Sequence, residues 1–491
     1  MSAPVVATAR GKVRGTVEDG IARFLGIPFA APPFGPDRFG LPRPHEPWEG
    51  EFVASTFGPT PPQTPYTGRI GELLPGRLIE GDEILNLNVW TPTSALEGGK
   101  LPVMVWIYGG ALTRGSNAWP LYSGTPFVRD GVVFVAINYR VGVEGFAILE
   151  GAPNNRGLAD VVAALEWIRD EIARFGGDPD DVTVFGQSAG GGLVSMALAS
   201  PRTEGLIRKA IIMSAVMGPT PPRPEKHLAH HLAEMLGVPP TREAFAAIPP
   251  AELVQAQARL LSGGNAVSGG LNYFFVPGDD LLPENPWSLL QAPKAMAVPV
   301  LIGTTAEEHR FWFAPSITGG DPPSEWIEGA LAAYGVSDET FELYRRNRPD
   351  DSETVAFGAL LMDYICRVGL NLYADNRSAA GARTWAYEFA WKSPVMDLGA
   401  AHCVDLPFLF DNLVDDAPRR LIGDAAPQPL ADEVHGAFVR FARTGDPGWE
   451  AWNEQRPVMT FDSPQSAVVC APREDERVAL ARASLFQPAP A

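Results

Sequence analysis

The chain has 491 residues, of which 45% are hydrophobic and 20% are charged, an ordinary composition for a large globular protein. Its formal net charge of −19 at pH 7 argues against nucleic acid or an anionic membrane surface as a partner. We therefore expect no nucleic-acid or membrane binding. Separately, we expect a small-molecule partner and a monomer or weak homo-oligomer.

We expect no targeting or membrane segment. The first ten residues lack the basic start and apolar stretch of a signal peptide. No apolar run approaches the ~20 residues that cross a bilayer. The cysteines, Cys366, Cys403 and Cys470, form an odd, sparse set without metal-ligand spacing. A cytoplasmic location is the resulting prediction.

Strand-like apolar runs alternate with helical patterns along the chain, which is typical of a mostly parallel, doubly wound α/β sheet. A helix predicted over 160–175 ends at a Gly-Gly-Asp-Pro sequence, and a second over 191–197 follows a strand directly. The predicted strands cover 101–108, 132–139, 182–185, 209–213, 298–302 and 384–391.

Two intervals, about 218–296 and 306–382, are too long to be plain crossovers and carry helical patterns of their own. We expect them to form a cap or regulatory subdomain over the carboxyl ends of the strands, where open α/β sheets keep their sites. The organisation predicted for 1–491 is thus a single domain with two insertions.

The sequence Gly186-Gln187-Ser188-Ala189-Gly190 lies between the strand 182–185 and the helix 191–197. This pattern is typical of a nucleophile elbow, in which a sharp turn lifts a serine hydroxyl above the sheet. Glycine at 186 and 190 lets the two limbs approach, and the helix directs its free N–H groups towards a developing oxyanion. The alternative is an ordinary glycine-rich turn.

A serine nucleophile needs a base, and the base needs an orienting carboxylate. In α/β-hydrolases the chain order is serine, acid, histidine. The strand 298–302 leads to Glu307 and Glu308, and the strand 384–391 leads to His402. Both partners therefore follow strands in the required order, although two adjacent loop carboxylates can also be merely solvated.

Other candidates have simpler explanations. His435 lies on a late helical stretch and is expected to pack or face solvent. Three histidines, His227, His230 and His231, lack a matching acidic or cysteine ligand and follow a proline-rich loop, so we expect no metal site. Cys403 follows His402, and adjacent residues of an extended chain point to opposite sides, which predicts a buried structural cysteine.

Several further motifs accompany the elbow in a fixed order: Gly-Ile-Pro-Phe-Ala-Ala-Pro-Pro at 26–33, Leu-Asn-Val-Trp-Thr-Pro at 87–92, Asn-Tyr-Arg-Val-Gly at 138–142, Phe-Gly-Gly-Asp-Pro at 175–179 and Phe-Ala-Arg-Thr-Gly-Asp-Pro at 441–447. With them the chain resembles, over nearly its whole length, the type B carboxylesterases, the family of para-nitrobenzyl esterases and cholinesterases. The resemblance implies the α/β-hydrolase fold.

It also implies a site. By resemblance, the nucleophile, the general base and then acid, and the orienting carboxylate are Ser188, His402 and Glu308. The oxyanion hole is formed by the backbone N–H groups of Gly110, Ala111 and Ala189. No cofactor or metal is needed for this chemistry.

The implied activity is hydrolysis of uncharged small-to-medium or aromatic carboxylic esters through an acyl-enzyme. Alternatives are hydrolysis of aryl carbamates or amides by the same triad, or a non-catalytic, cholinesterase-like binding protein, although such proteins typically lack a triad residue. The aromatic segments 272–275 and 310–313 fit either a pocket lining or core packing.

Three positions depart from the family pattern. Gln187 stands where glutamate usually precedes the nucleophile, Tyr108 where bacterial members often have histidine, and Ile84 where the first disulfide has a cysteine. No tryptophan lies between Trp48 and Trp90, where cholinesterases carry the residue that stacks on choline. This absence argues against choline esters as substrates.

Overall fold

A computed structural model of the chain describes residues 3–218, 228–262, 273–319 and 324–482. The chain divides into two compact units, neither of them continuous in sequence. The first unit comprises Met1–Pro65, Gly76–Ile211 and Pro222–Ala295, and the second comprises Tyr66–Pro75, Ile212–Pro221 and Met296–Ala491.

The first unit contains a mixed sheet with strand order β9-β7-β8-β6-β4-β3, and a small sheet with order β1-β2-β5. Strand β7 is parallel to β8 and β9, whereas β8, β6, β4 and β3 pair antiparallel. The unit boundary falls within β10, Lys209–Met213. The strands are β1 Val5–Thr8, β2 Gly11–Arg14, β3 Thr16–Glu18, β4 Ile21–Pro28, β5 Glu51–Val53, β6 Asn86–Pro92, β7 Leu101–Ile107, β8 Val133–Ile137 and β9 Gly177–Gln187.

The core of this unit lies on β7, β8 and β9, whose aromatic side chains pack together. Trp106 lies 4.9 Å from Phe185 between ring centroids, and Phe127 of the helix 125–129 packs on this group, 4.8 Å from Phe134. The helices of this unit are α2 Thr125–Arg129, α3 Gly142–Phe146, α4 Arg156–Glu171, α5 Ala189–Ala199, α6 Leu228–Leu236, α7 Arg242–Ala246, α8 Pro250–Ser262 and α9 Pro286–Leu290, with α1, Gly68–Leu73, in the second unit.

The helix predicted over 160–175 begins four residues earlier, as α4, and ends in a 3₁₀ turn over Ile172–Phe175. Its first turn escaped the apolar pattern because it buries a charged residue. Arg156 is fully buried and donates hydrogen bonds to the carbonyl oxygens of Glu144, Pro153 and Ala147 at 2.8, 2.6 and 2.9 Å. A guanidinium whose N–H groups are hydrogen-bonded in this way can occupy a core position, although a charged residue in the sequence predicts exposure to solvent.

The second unit contains the strand order β11-β12-β13-β14, with β11, β12 and β13 parallel and β14 antiparallel. The strand predicted from 298 begins at Val300. Pro299 precedes it and has no backbone N–H to donate in a hydrogen bond to a neighbouring strand. The strands are β11 Val300–Thr305, β12 Thr384–Phe389, β13 Pro457–Phe461 and β14 Ala467–Cys470. After α10 Pro293–Ala297, the helices are α11 Arg310–Phe313, α12 Pro315–Thr318, α13 Ser324–Tyr334, α14 Asp338–Arg346, α15 Glu353–Met362, α16 Val368–Ala379, α17 Leu406–Leu409, α18 Asp416–Ile422, α19 Gln428–Thr444 and α20 Glu474–Leu480.

Where the structure describes them, the two long intervals contain helices, namely α6 to α9 and most of α10 in the first and α11 to α16 in the second. Their organisation as a cap of a single domain stays a prediction. Helices α15 and α16 join through a π-turn over Asp363–Arg367, and this run is long and apolar enough to cross a bilayer. Because 83% of its most apolar window is buried inside the protein, it has the character of a core helix.

Candidate active site

The predicted elbow is present in the first unit, where β9 ends at Gln187 and α5 begins at Ala189. Ser188, between them, has φ 60° and ψ −126°, a strained conformation for a residue with a side chain. The following limb passes very close to β7, because a β-carbon at residue 190 would lie 2.0 Å from the Ile107 carbonyl oxygen. Only glycine fits at 190.

The predicted oxyanion loop follows β7 and lies against the elbow. A β-carbon at Gly109 would lie 2.6 Å from the Gln187 carbonyl oxygen and 3.0 Å from the Ser188 Cβ. Gly110 and Ala111 have φ values of 126° and 54°, which turn the chain sharply. Two amides, of Thr113 and Arg114, donate to the Gly110 carbonyl oxygen at 3.0 and 3.1 Å and fix the turn.

The amide of Ala189 lies in the first turn of α5, where helix N–H groups have no acceptor within the helix. The structure therefore brings together, within one unit, the serine and the two backbone segments predicted to bind an oxyanion. One segment is the N-terminal end of α5, which carries a partial positive charge, and the other is the loop after β7, whose residues have positive φ values. Backbone N–H groups in both settings commonly bind anions.

Tyr108, noted in the sequence only as a departure, has a structural role. Its hydroxyl donates to the Tyr139 carbonyl oxygen at 3.0 Å, and the Tyr139 hydroxyl donates to the Tyr108 carbonyl oxygen at 2.9 Å. The two rings stack at 4.4 Å between centroids. Burial raises the pKa of Tyr108 well above its usual value, so it stays a neutral donor. This pair ties together the ends of β7 and β8 beside the oxyanion loop.

The predicted acid and base meet in the second unit. Glu308 lies in the turn after β11, and its Oε2 contacts Nδ1 of His402. Both side chains are buried. The other oxygen, Oε1, accepts hydrogen bonds from the Ser214 hydroxyl at 2.6 Å and the Thr305 amide at 2.8 Å. These donors hold the carboxylate in one orientation against the imidazole.

The environment of His402 favours its charged form. Burial lowers the pKa of His402, but contacts with the Cys403 side chain and the Glu308 carboxylate outweigh it and hold that pKa well above the usual value. An imidazole that accepts a proton readily and is fixed at Nδ1 has the properties of a general base.

Glu307 has a different environment from Glu308. Its Oε1 accepts from the Lys392 ammonium at 3.1 Å, and its Oε2 accepts from the Ala400 amide at 2.9 Å. It therefore anchors the loop that carries His402, while Glu308 contacts the imidazole itself. Of the two adjacent acids, the structure pairs the second with His402.

The prediction that Cys403 lies on an extended chain and points away from His402 is wrong, although Cys403 is buried as predicted. Its backbone is not extended but left-handed, with φ 72°, and its side chain lies beside the His402 imidazole, where it contributes a hydrogen bond. An alternation rule for strands does not apply to such a residue. Neither composition nor periodicity signals a left-handed cysteine, so sequence reasoning missed this contact.

The remaining histidine candidates lie elsewhere. His435, on α19, is buried and its Nδ1 contacts the Leu409 carbonyl oxygen at 2.7 Å, as expected for a packing residue. His230 and His231 are exposed on α6, and His227 lies outside the described residues. Within the part of the chain that the structure describes, no group of three His, Cys, Asp or Glu residues could hold a metal ion.

The aromatic segments contribute to both packing and the site. Trp312 is partly exposed and lies 4.8 Å from His402 between ring centroids, whereas Phe311 and Phe313 are buried. In the earlier segment, Tyr273 is buried and donates to the Gln257 side chain at 2.7 Å, and residue 272 lies outside the described residues. Trp312 is thus an aromatic neighbour of the predicted base.

Comparison with known proteins identifies the family of the chain. A family model described as the carboxylesterase family matches residues 2–475. The chain belongs to the carboxylesterase family. It is similar to the para-nitrobenzyl esterase of Bacillus subtilis (34% identity over 94% of this chain and 96% of the relative) and to the phenmedipham hydrolase of Pseudarthrobacter oxydans (33% over 97% and 96%).

Solved structures extend the likeness to the fold. A thermophilic para-nitrobenzyl esterase matches with TM-score 0.84 and 31% identity, covering 98% of this chain and all of that one. A carboxylesterase of Geobacillus stearothermophilus matches with TM-score 0.83 and 33% identity over 97% and 99%. The predicted α/β-hydrolase fold is confirmed, and this carboxylesterase is a carboxylic ester hydrolase.

Proposed function

We propose that Ser188, His402 and Glu308 are the catalytic triad of this carboxylesterase. The observation that carries the proposal is the buried contact between Glu308 and His402 Nδ1. That contact fixes the imidazole tautomer with its lone pair on Nε2, the nitrogen that a serine hydroxyl requires. The strained elbow at Ser188 supports the role of that residue as nucleophile.

In the proposed reaction the Ser188 hydroxyl attacks the ester carbonyl while His402 takes its proton. Glu308 stabilises the imidazolium that forms. The backbone N–H groups of Gly110, Ala111 and Ala189 stabilise the tetrahedral oxyanion, which is where the largest rate gain of acyl transfer usually arises. His402 then protonates the departing alcohol and activates the water that releases the acid from Ser188.

The proposed substrates are uncharged esters with an aromatic group. Trp312 supports this choice because it offers a partly exposed aromatic face beside the base. The similar enzyme of Bacillus subtilis is called a para-nitrobenzyl esterase. A relative called phenmedipham hydrolase favours carbamates as the second candidate, since a carbamate carbonyl reacts with the same nucleophile.

A serine-directed organophosphate is expected to label the protein once, at Ser188, and to abolish turnover in proportion to labelling, because only an activated hydroxyl reacts fast. The measurement is peptide mapping by mass spectrometry alongside a panel of matched para-nitrophenyl esters, aryl carbamates and anilides. Ser195, a buried serine seven residues further along, provides the control as Ser195→Ala.

Label at another serine, or labelled enzyme that keeps its turnover, would refute Ser188 as the nucleophile. The panel ranks the substrate classes independently: faster turnover of carbamates than of esters would replace the first candidate by the second.

A further inference from the structure

The oxyanion loop, residues 109–115, leaves β7 through a peptide that a buried side chain holds. Tyr108 directly follows β7, and its carbonyl oxygen belongs to the same peptide as the Gly109 N–H. The Tyr139 hydroxyl donates to this carbonyl oxygen at 2.9 Å. Because a peptide unit is planar, holding its carbonyl oxygen also sets the direction of its N–H and the path of the chain into Gly110.

The start of this loop has little conformational preference of its own. Gly109 and Gly110 lack a β-carbon, so local sterics leave many backbone dihedral angles open to them. The φ of Gly110 is 126°, a value that glycine adopts readily and other residues rarely adopt. Tertiary contacts therefore have to select the observed conformation.

Hydrogen bonds to side chains hold both ends of the loop. At its far end the Gly115 amide donates to Gln63 Oε1 at 2.7 Å, and the Gly115 carbonyl oxygen accepts from Gln63 Nε2 at 2.8 Å. At its near end the donor is the Tyr139 hydroxyl. Tyr139 is fully buried, and its ring stacks on that of Tyr108 at an interplanar angle of 18°. Close packing around the stacked ring leaves the hydroxyl little freedom to move away from the loop.

The second hydroxyl of the stacked pair holds a different part of the backbone. The Tyr108 hydroxyl donates to the Tyr139 carbonyl oxygen at 3.0 Å and accepts from the Tyr139 amide at 3.4 Å. Both rings are fully buried and share the same stacking contact. The two hydroxyls therefore have similar surroundings, but that of Tyr139 holds the oxyanion loop and that of Tyr108 holds the segment after β8.

We propose that Tyr139 is a positioning residue of the oxyanion hole: its hydroxyl fixes the first peptide of the loop so that the N–H groups of Gly110 and Ala111 face the developing oxyanion. The inference rests on the proposed function, in which these groups bind the tetrahedral intermediate. Charge on the ester oxygen grows only as Ser188 attacks, so correctly oriented donors stabilise the transition state more than the bound ester. Tyr139 acts through the loop, and none of its own covalent bonds changes during the reaction.

Tyr139→Phe removes the hydroxyl and keeps the buried ring. The first peptide of the loop then loses this donor, so kcat should fall roughly tenfold to a hundredfold, while KM should change by less than about twofold. An aryl trifluoromethyl ketone binds when the Ser188 hydroxyl adds to its carbonyl, and the hemiketal oxyanion occupies the same hole. Its Ki should therefore rise by the factor by which kcat/KM falls. Para-aminophenylalanine at residue 139 keeps a para donor and should restore most of the activity.

Tyr108→Phe is the matched control, because it removes the partner hydroxyl from the same stack. It should lower the Tm at least as much as Tyr139→Phe, since both the amide and the carbonyl of Tyr139 lose this partner. Its kcat and its Ki for the ketone should nevertheless stay within about threefold of wild type. The measurements are kcat and KM for a para-nitrophenyl ester, Ki for the ketone, and Tm by circular dichroism.

Each result decides the matter. Equal losses of kcat in both variants, a change in KM alone in Tyr139→Phe, or no recovery with para-aminophenylalanine would overturn the inference, since a merely structural hydroxyl gives these patterns. Failure of Tyr139→Phe to fold would also overturn it, because a hydroxyl that only orients a loop is not needed for folding. Ser188→Ala separates the two proposals. Full turnover in Ser188→Ala would remove the proposed nucleophile, whereas an inactive Ser188→Ala beside a fully active Tyr139→Phe removes only the role of Tyr139.

Discussion

At the scale of single residues, adjacent acids with identical chemistry have different environments. Glu308→Gln removes the carboxylate charge that stabilises the imidazolium in the proposed reaction, so kcat should fall by about 10³–10⁴. The acidic limb of its pH profile should move to lower pH, since the Glu308 carboxylate raises the pKa of His402. The measurement is kcat and kcat/KM against pH.

Glu307→Gln is the matched control, one residue away. It loses an ion pair with the exposed Lys392 but keeps an acceptor for the Ala400 amide, and surface ion pairs contribute at most about 1 kcal/mol. We expect activity within about threefold of wild type. A larger loss in Glu307→Gln than in Glu308→Gln would move the proposed acid by one residue.

The sequence predicted the placement of those residues that a local motif or the chain order marks. Ser188 has its glycines, and Glu308 and His402 follow strands, so their placement could be inferred. The contact of Cys403 with His402 could not be inferred, because a left-handed backbone arises from tertiary packing. The burial of Asp405 could not be inferred either. No local pattern distinguishes a buried aspartate from a solvated one.

At the scale of elements, the elbow depends on the distance between α5 and β7. Gly190→Ala places a methyl group 2.0 Å from the Ile107 carbonyl oxygen, so β7 or α5 must shift. We expect a loss of several kcal/mol in the free energy of unfolding and at least a hundredfold loss in kcat, because displacements near 1 Å misplace the nucleophile. Urea unfolding and ester turnover measure the two effects.

Gly192→Ala, two residues further along the same helix, supplies the comparison. A β-carbon there meets nothing nearer than Phe275 at 3.9 Å, and alanine favours a helix by about 0.5–1 kcal/mol over glycine. This variant should be as stable as wild type or more so. Equal loss of unfolding free energy in both variants would show that the close approach at residue 190 does not determine the stability of the elbow.

Strands were predictable where both faces are buried, as in β7, β8 and β11, since continuous apolar runs mark them. The short strands β1, β2, β3 and β5 were missed because three or four residues of mixed polarity carry no period. The first turn of α4 was missed because Arg156 is a charged residue in a core position.

At the scale of the molecule, His309 links stability to pH. Burial, together with the positive charges of Arg348 and Arg310, lowers the pKa of His309 to about 3. In the unfolded chain a histidine has a pKa near 6.5, so between about pH 6.5 and 3 only the unfolded state binds this proton. Stability should therefore fall as the pH falls through that window, by up to about 1.4 kcal/mol per unit.

His309→Gln should flatten this dependence, whatever its cost at pH 7, and the slope of unfolding free energy in urea between pH 6.5 and 4.5 measures it. His230→Gln, on the exposed face of α6, should keep the wild-type slope. A slope that is the same in His309→Gln as in wild type would assign the acid sensitivity to other groups.

The two discontinuous units also set an order of assembly during synthesis. The first unit is complete once the ribosome has passed residue 295, but the second still awaits its last strands and helices. Ser188 therefore leaves the ribosome roughly 200 residues before His402, a delay of about 10–40 s at ordinary elongation rates. Throughout that interval the nascent chain carries Ser188 without His402, so the proposed triad is completed late, with the carboxyl-terminal part of the polypeptide.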